Sequence, residues 1–155
     1  MREQFSKKSN HNELRSYSRT PGLGSFESSV SDSWARCTSF GLSPTSKPID
    51  AVTSSTELLE IRQKNDKIRQ FVIPELQLLY NQIAGTKFMV AYADNTGVVL
   101  DAYLDEDFKQ SDAGKAVIPG SVWTENYRGT NALGLALHTG KSQIVAGSDH
   151  FFRKL

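Results

Sequence analysis

The sequence predicts a mixed α/β fold in which a small antiparallel sheet is flanked by helices. Apolar residues recur at helical spacing before residue 84, and a strand–turn–strand pattern follows over residues 87–103. A further helix is indicated after Gly129 by polar capping residues and an apolar run. With 155 residues, of which 38% are hydrophobic, the chain can bury one core but not two.

Composition divides the chain into three parts. Residues 1–24 are rich in serine, asparagine, lysine and arginine and end in Pro-Gly-Leu-Gly. Such a segment buries too little apolar area to offset the entropy of ordering, so it is predicted to be a disordered tail. We predict N-terminal helices over residues 25–84 and an α/β domain over residues 85–155.

The first helix is predicted from the spacing of Phe26, Val30, Trp34 and Cys37, which places them on one face. It is expected to end at Gly41, where a left-handed C-cap is easily formed. Cys37 has no second cysteine with which to form a disulfide, which fits a reducing cytoplasm. We interpret this residue as a small core side chain and not as a reactive thiol.

A longer helix is predicted to begin at Ser54, because Ser54 and Glu57 have the spacing of a capping box. An apolar stripe then runs from Leu58 to Ile83. Pro74 interrupts this stripe and lacks an amide hydrogen, so two helical pieces are expected, over 54–72 and 74–84.

The sheet is predicted from residues 87–93 and 98–103, two strands joined by the turn sequence Asp-Asn-Thr-Gly at 94–97. A short helix is expected over 105–114 and a third strand over 143–146. Three strands are few for an α/β layer fold, which usually has about five. We therefore expect a sheet that is incomplete at its C-terminal side, to be finished by later strands or by a partner strand.

Several function classes are disfavoured by the sequence. Eighteen basic and seventeen acidic residues nearly balance, so nothing demands a polyanionic partner or direct DNA contact. Apolar runs are too short for a membrane span, which predicts a cytoplasmic protein. The histidines lack metal-ligand spacing, and the carboxylates at 105–107 suit the first turn of a helix. No nucleophile has an orienting partner, so neither an enzyme, a metal nor a cofactor is predicted.

A small-molecule pocket is the functional hypothesis that the residues themselves support. Trp123 is followed by three polar residues, directly before the segment in which Thr130 and Asn131 lead into a helix. An aromatic ring with a few polar contacts is a typical pocket lining. Two plainer interpretations stay open at this point: Trp123 as a core residue, and Thr130 or Asn131 as a simple helix cap.

Three separated stretches together resemble one known family. They are WTENYRGTNALGLAL at 123–137 with DHF at 149–151, SVSDSWARC at 29–37 with GLSP at 41–44, and RQKN at 62–65 with IPEL at 73–76. In the same order, these are similar to motifs of the GAF-type input domain found in regulators of the acetoin-catabolism and dihydroxyacetone-kinase-operon type. Such regulators activate sigma-54 promoters or related ones.

The resemblance implies a GAF/PAS-like fold with a ligand cavity under the loop and helix that contain Trp123 and Thr130. It also implies a signalling role, because an AAA+ ATPase and a helix-turn-helix domain follow the input domain in such regulators. Those domains and a small-molecule ligand are the partners that the family suggests. The family's sheet continues with strands after the position that corresponds to Phe151.

Two functional hypotheses follow. In the first, an apolar small metabolite binds at Trp123, Thr130 and Asn131, with Tyr92 and His150 as further candidates. In the second, the chain is a dimerisation and interaction module without a ligand. There, the helices carrying Trp34 and residues 58–83 pair with a second copy or with an ATPase domain.

Overall fold

The computed structural model describes the backbone of residues 24–152 and the side chains of residues 28–152. The predicted tail therefore lies outside the described residues, except for Gly24. In chain order the elements are α1 (Gly24–Ser39), α2 (Ser55–Lys64), α3 (Asp66–Ile83), β1 (Met89–Ala93), β2 (Val99–Leu104), α4 (Glu106–Lys109), α5 (Asp112–Ala116), α6 (Glu125–Arg128) and α7 (Ala132–Thr139), followed by a 3-10 turn (Gly147–Asp149). Within this range no helix is long and apolar enough to cross a bilayer.

Helix α1 ends where the sequence predicts. Gly41 has a φ of +82°, and the amide of Leu42 donates to the carbonyl of Cys37 over 3.2 Å, as in a Schellman cap. The helix packs against α6 and α7 through Ser33 and Cys37, both of which are fully buried. Cys37 is thus a core residue, as predicted.

The predicted break of the long helix at Pro74 is wrong, because α2 and α3 meet at another residue. The interruption falls at Asn65, whose side-chain Nδ2 donates to the carbonyl of Ile61 over 2.9 Å and competes with the helical backbone bonds. Pro74 lies inside α3, where the carbonyl it leaves unpaired belongs to Gln70, an exposed residue that water can reach. The predicted N-cap is confirmed, because Ser54 Oγ accepts from the amide of Glu57 over 3.2 Å.

Strands β1 and β2 form the predicted antiparallel hairpin. Met89 lies opposite Leu104, and the register shifts after Tyr92. Asp94 closes the turn, because its carboxylate accepts from the amides of Thr96 and Val98, each over 3.0 Å. Beyond the free edge of β2, single antiparallel bridges link Val98 to Val122 and Ser121 to Val52.

The predicted third strand over 143–146 is wrong. That segment is irregular, and Ile144 is 66% exposed. Within the described range no strand lies beside it to pair with its backbone amides and carbonyls. Residues 121–122 extend the sheet instead. The prediction of a single helix over 105–114 is also wrong, since two short helices, α4 and α5, occupy this region. The Ser111 hydroxyl begins the second one by accepting from the amide of Gly114 over 3.0 Å.

The buried apolar side chains fall into two sets. One set lies on or next to β2, after α5 and on α7: Val98, Val99, Leu100, Leu104, Val117 and Leu135. The other joins Cys37, Phe151 and Phe152, with Trp34 and Leu42 packed against it. The Trp34 and Phe151 rings meet edge to face with centroids 5.1 Å apart. The last described residues are thereby fixed onto α1, and the predicted mixed α/β class is confirmed.

Candidate functional site

The loop that carries most of the predicted site runs along the free edge of β2. Trp123 donates its amide to the carbonyl of Gly97 over 2.8 Å, and Val99 donates to Ser121 over 2.9 Å. On the other side, the amide of Val122 donates to the carbonyl of Ala51 over 2.9 Å. Backbone bonds on both sides hold Trp123 beside the sheet.

Gly129 turns the chain from α6 toward α7. Its φ of +64° and ψ of −167° favour glycine, and an added Cβ would lie 2.7 Å from the Cβ of Phe151. The backbone can therefore approach Phe151 closely only because this residue has no side chain.

Asn131 is the N-cap of α7, as one of the two open interpretations predicted. Its Oδ1 accepts from the amide of Gly134 over 2.9 Å. Its Nδ2 donates to the carbonyls of Trp123 and Gly129, over 3.0 and 2.9 Å. Asn131 is buried, and these bonds fix the loop to the helix start, so its side chain determines where Trp123 lies.

Thr130 faces helix α1. Its Oγ1 lies 2.8 Å from Ser33 Oγ and 3.6 Å from Cys37 Sγ. Since the single Ser33 hydroxyl hydrogen is directed to Glu125 Oε1 over 2.6 Å, Thr130 is the donor to Ser33. Ser33 and Thr130 are both at most 1% exposed, so this chain of hydroxyls lies inside the protein.

Glu125 carries the charge at the centre of this arrangement. Arg36 binds it in a bidentate manner, with Nε to Oε2 at 2.7 Å and Nη2 to Oε1 at 2.8 Å. Burial raises the pKa of Glu125, but hydrogen bonds from Arg36 and Ser33 outweigh burial and hold the pKa below its ordinary value. We call Ser33, Arg36, Cys37, Glu125 and Thr130 the Glu125 cluster.

The Glu125 cluster holds structure together and offers no acid–base chemistry. Its carboxylate stays ionised and paired, and burial raises the pKa of the Cys37 thiol, which disfavours the nucleophilic thiolate. The five residues come from α1, α6 and the segment between α6 and α7. They therefore tie the N-terminal helix to the loop that positions Trp123.

Trp123 itself is half-buried. Its Nε1 donates to Ser121 Oγ over 3.0 Å, and the guanidinium of Arg128 lies 5.0 Å from its ring centroid. Arg128 also pairs with Asp50 over 2.9 Å. The Arg128 guanidinium thus covers one face of the indole ring, and the Ser121 hydroxyl binds its N–H.

Tyr92 and His150 lie on other elements. Tyr92 is on β1, and its hydroxyl donates to Asn65 Oδ1 over 3.5 Å, while burial raises its pKa. His150 follows the 3-10 turn and is half-buried, and its Nδ1 is buried without a partner among residues 28–152. A hydrogen bond joins Trp123 to Asn131, but within residues 28–152 no hydrogen bond joins either of them to Tyr92 or His150.

Sequence reasoning about the site missed Ser33, Arg36 and Glu125. All three occur in the motifs that carry the family resemblance, and Glu125 follows Trp123 by two residues. The signal that could have identified Glu125 is its charge, because the other residues between Trp123 and Asn131 suit a loop and a helix cap. Among the described residues, no group of three or more histidine, cysteine or carboxylate side chains is placed to hold a metal ion.

The known proteins that this chain resembles in sequence are regulators of transcription. No family model matches the chain. It is 33% identical over 126 residues to the acetoin catabolism regulatory protein of Cupriavidus necator, covering 79% of this chain and 18% of that protein. It is 31% identical over 124 residues to the acetoin dehydrogenase operon transcriptional activator of Bacillus subtilis, covering 79% and 20%. A signal-transduction and transcriptional-control protein of Clostridium beijerinckii is 27% identical, with 80% and 20% covered.

A solved structure has the same fold. A chain in the crystal structure of the E. coli DhaR(N)–DhaL complex superposes with a TM-score of 0.75 at 18% identity, covering 81% of this chain and 42% of that one. This likeness confirms the GAF/PAS-like α/β fold that the motifs implied. The chain spans about a fifth of the length of the regulators it matches. It is a homologue of one segment of the acetoin-type transcriptional regulators.

Proposed function

We propose that this chain is the signal-sensing input segment of a bacterial transcription activator. It binds a small metabolite and controls an AAA+ ATPase and a helix-turn-helix part of the whole regulator, acting at sigma-54 promoters or related ones. The supporting observation is that relatives sharing about four fifths of this chain are transcription regulators several times its length. A regulator of this kind acts in the cytoplasm, which is the proposed location.

The Glu125 cluster supplies a route from a ligand to the rest of the regulator. A ligand that contacts Trp123 displaces or orders the loop, and Asn131 and Thr130 transmit that change to α7 and α1. In this proposal Trp123 contacts the metabolite, and Tyr92 and His150 are further candidates for contact. Thr130 and Asn131 shape the site, because their side chains already bond to protein groups.

Thermal denaturation of the chain against small diols, ketones and phenols tests this proposal. A compound present at 100 times its dissociation constant adds about 2.7 kcal/mol to the free energy of unfolding. Trp123→Ala abolishes that increase, whereas Phe88→Ala, which removes an aromatic ring that is 68% exposed, retains it. A compound that stabilises Trp123→Ala as much as the parent chain removes Trp123 from the site.

The alternative function, an interaction module without a ligand, is favoured by an uncovered apolar face. No residue of α2 or α3 is buried. Four large apolar side chains of α3 share one face and are 46–78% exposed: Ile68, Phe71, Leu78 and Leu79. Clustered exposed apolar groups are typical of protein contacts. The occupant proposed here is a second copy of this chain.

Sedimentation velocity over a range of protein concentrations tests the interaction module. Phe71→Glu places a charge at the centre of the face and is expected to shift the chain to monomer, whereas Phe88→Glu leaves the sedimentation unchanged. The solved neighbour is a complex of DhaR(N) with DhaL, so a different protein is the other candidate occupant. A monomer at all concentrations contradicts the second-copy proposal.

A further inference from the structure

The loop that carries Trp123 is attached to the sheet on one side and to an exposed segment on the other. Residues 49–53, which we call the strap, lie between α1 and α2 and pair with this loop in antiparallel orientation. On the sheet side, the amide of Trp123 donates to the carbonyl of Gly97 over 2.8 Å. On the strap side, the amide of Val122 donates to the carbonyl of Ala51 over 2.9 Å. Two adjacent amides of one loop therefore report on two different attachments.

The two attachments differ in how far they are shielded from water. Val98, Val99 and Ser121, which join the loop to the sheet, are at most 4% exposed. No residue of the strap is buried, and Ile49 and Val52 are 48% and 52% exposed. Backbone bonds with few buried apolar neighbours open locally at a small cost in free energy, whereas those within a packed core open only with the core. The strap is therefore expected to separate while the sheet side stays intact.

A single ion pair fastens the strap to the rest of the protein. Asp50 Oδ1 lies 2.9 Å from Arg128 Nη1, and the two side chains are 78% and 5% exposed. Within residues 28–152 Arg128 has no other ion pair, its Nε is buried without a partner, and its Nη2 donates to the carbonyl of Ala116 over 3.4 Å. A buried guanidinium is thus neutralised by one carboxylate that water reaches freely, and water weakens such a pair.

Arg128 connects this ion pair to the proposed ligand site. Its guanidinium carbon is 5.0 Å from the centroid of the Trp123 ring, so it covers the ring face while Asp50 holds it in place. When the strap separates, Arg128 loses its counter-ion, and an unpaired cation is less stable among protein atoms than in water. Its movement toward water uncovers the ring face.

We propose that the strap is a gate on the Trp123 site and that the Asp50–Arg128 pair is its latch. In the closed form Arg128 occupies the ring face, and in the open form that face is free to contact a metabolite. A ligand that binds only the open form shifts the population toward it. The gate rests on the proposed function, because it regulates the site that this function assigns to Trp123.

Hydrogen exchange of the chain without any ligand tests whether the strap opens by itself. The amides of Val122 and Thr53 bond across the strap side, the latter to the carbonyl of Gly120 over 2.9 Å. Both are expected to exchange at least about tenfold faster than the amide of Trp123, which bonds on the sheet side. Equal protection at Val122 and Trp123 overturns the proposal, because the strap then opens only when the core does.

The variant Asp50→Asn tests the latch, because it removes the charge and keeps the size of the side chain. It is expected to speed exchange of the Val122 and Thr53 amides by about fivefold and to leave the Trp123 amide unchanged. The matched control is Asp107→Asn, which removes an exposed carboxylate of α4 and should alter none of these rates. No change in Asp50→Asn, or an equal change at the Trp123 amide, overturns the latch.

The indole N–H of Trp123 tests whether the strap controls access to the ring. It donates to Ser121 Oγ over 3.0 Å, and its signal is the one lost in Trp123→Ala. Its exchange is expected to quicken in Asp50→Asn together with the strap amides, and an unchanged indole rate shows that the strap is no gate on this site.

The exchange measurements and the thermal screen fail separately. A compound that stabilises the parent chain but not Trp123→Ala keeps the ligand site even when the strap does not open. An opening strap in a chain that no compound stabilises counts against the ligand site, and against the strap as its gate, but not against the opening itself.

Discussion

Two regions of the molecule use opposite means of holding a helix. Helix α1 is tied to α6 and α7 by a buried polar network, in which a carboxylate with 7% exposure bonds to Arg36 and Ser33. Helices α2 and α3 contain no buried residue and keep large apolar side chains in contact with solvent. Their ties to the sheet are side-chain bonds near its surface, such as Arg69 to Asp101 at 2.8 Å.

The difference separates a region of fixed geometry from one whose apolar face is open to solvent. Buried polar groups must all find partners, so a network such as the Glu125 cluster permits few alternative arrangements. An exposed apolar face specifies little by itself and gains most when a partner covers it. The motif-bearing residues Ser33, Arg36, Glu125 and Thr130 belong to the first kind.

The largest expected effect is in the fixed region, at Gly129. Gly129→Ala combines a positive φ with a Cβ 2.7 Å from the Cβ of Phe151 and is expected to lower the free energy of unfolding by about 3 kcal/mol or more. Gly140→Ala is the control, since Gly140 has a φ of +65° but open space around it, and should cost about 1 kcal/mol. Urea denaturation compares the two. Equal losses mean that Gly129 does not sit against Phe151.

The second largest effect is expected from removing the negative charge of Glu125. Glu125→Gln keeps the shape but leaves Arg36 without its counter-ion, and is expected to cost about 2–3 kcal/mol because the pair is largely shielded from water. The exposed substitution Glu60→Gln should change stability by less than about 0.5 kcal/mol. Urea denaturation at neutral pH measures both. A loss at Glu125 no greater than that at Glu60 shows that the ion pair adds nothing.

The pH dependence of stability sharpens the same point. Because the folded protein holds the pKa of Glu125 below its ordinary value, the carboxylate contributes stability above the unfolded pKa of about 4.3 and loses it as the pH falls through the folded pKa. The parent chain should therefore lose more stability than Glu125→Gln between neutral pH and the acid range. Parallel curves for the two proteins contradict a lowered pKa.

The smallest expected effect is on the exposed apolar face of α3. Phe71 is 78% exposed, so Phe71→Ser is expected to change the free energy of unfolding of the monomer by less than about 0.5 kcal/mol. Dilute samples keep the measurement on the monomer. A loss comparable with that at Gly129 would place Phe71 inside the core and remove the contrast between the regions.

Local sequence signals predicted most element boundaries, but they did not show which of two possible helix breakers acts in the folded protein. Ser54, Gly41 and Asp94 lie at the ends of elements where bonds between near neighbours in sequence set the boundary. Ser54 begins a helix, Gly41 follows the end of one, and Asp94 follows the end of β1, each where predicted. Pro74 was expected to break a helix, yet the exposure of that face makes its lost bond tolerable while Asn65 interrupts the helix instead.

The site shows the same limit at longer range. Asn131 was recognised as a possible cap because its bond to Gly134 is local. The hydrogen bonds of Ser33 to Glu125 and Thr130 join residues more than 90 positions apart, and neither composition nor periodicity indicates them. Only the joint occurrence of the motifs hinted that these segments meet.

Amide hydrogen exchange of the dilute chain tests the contrast between the two regions most directly, because both are observed in one sample. We expect the amides of Arg128, Gly129 and Leu135 to exchange only through global unfolding, whereas those of α2 exchange through local opening. Glu125→Gln should speed exchange at Gly129 and leave α2 unchanged. Protection in α2 equal to that around Gly129 in the parent chain would show that the two regions do not differ in stability.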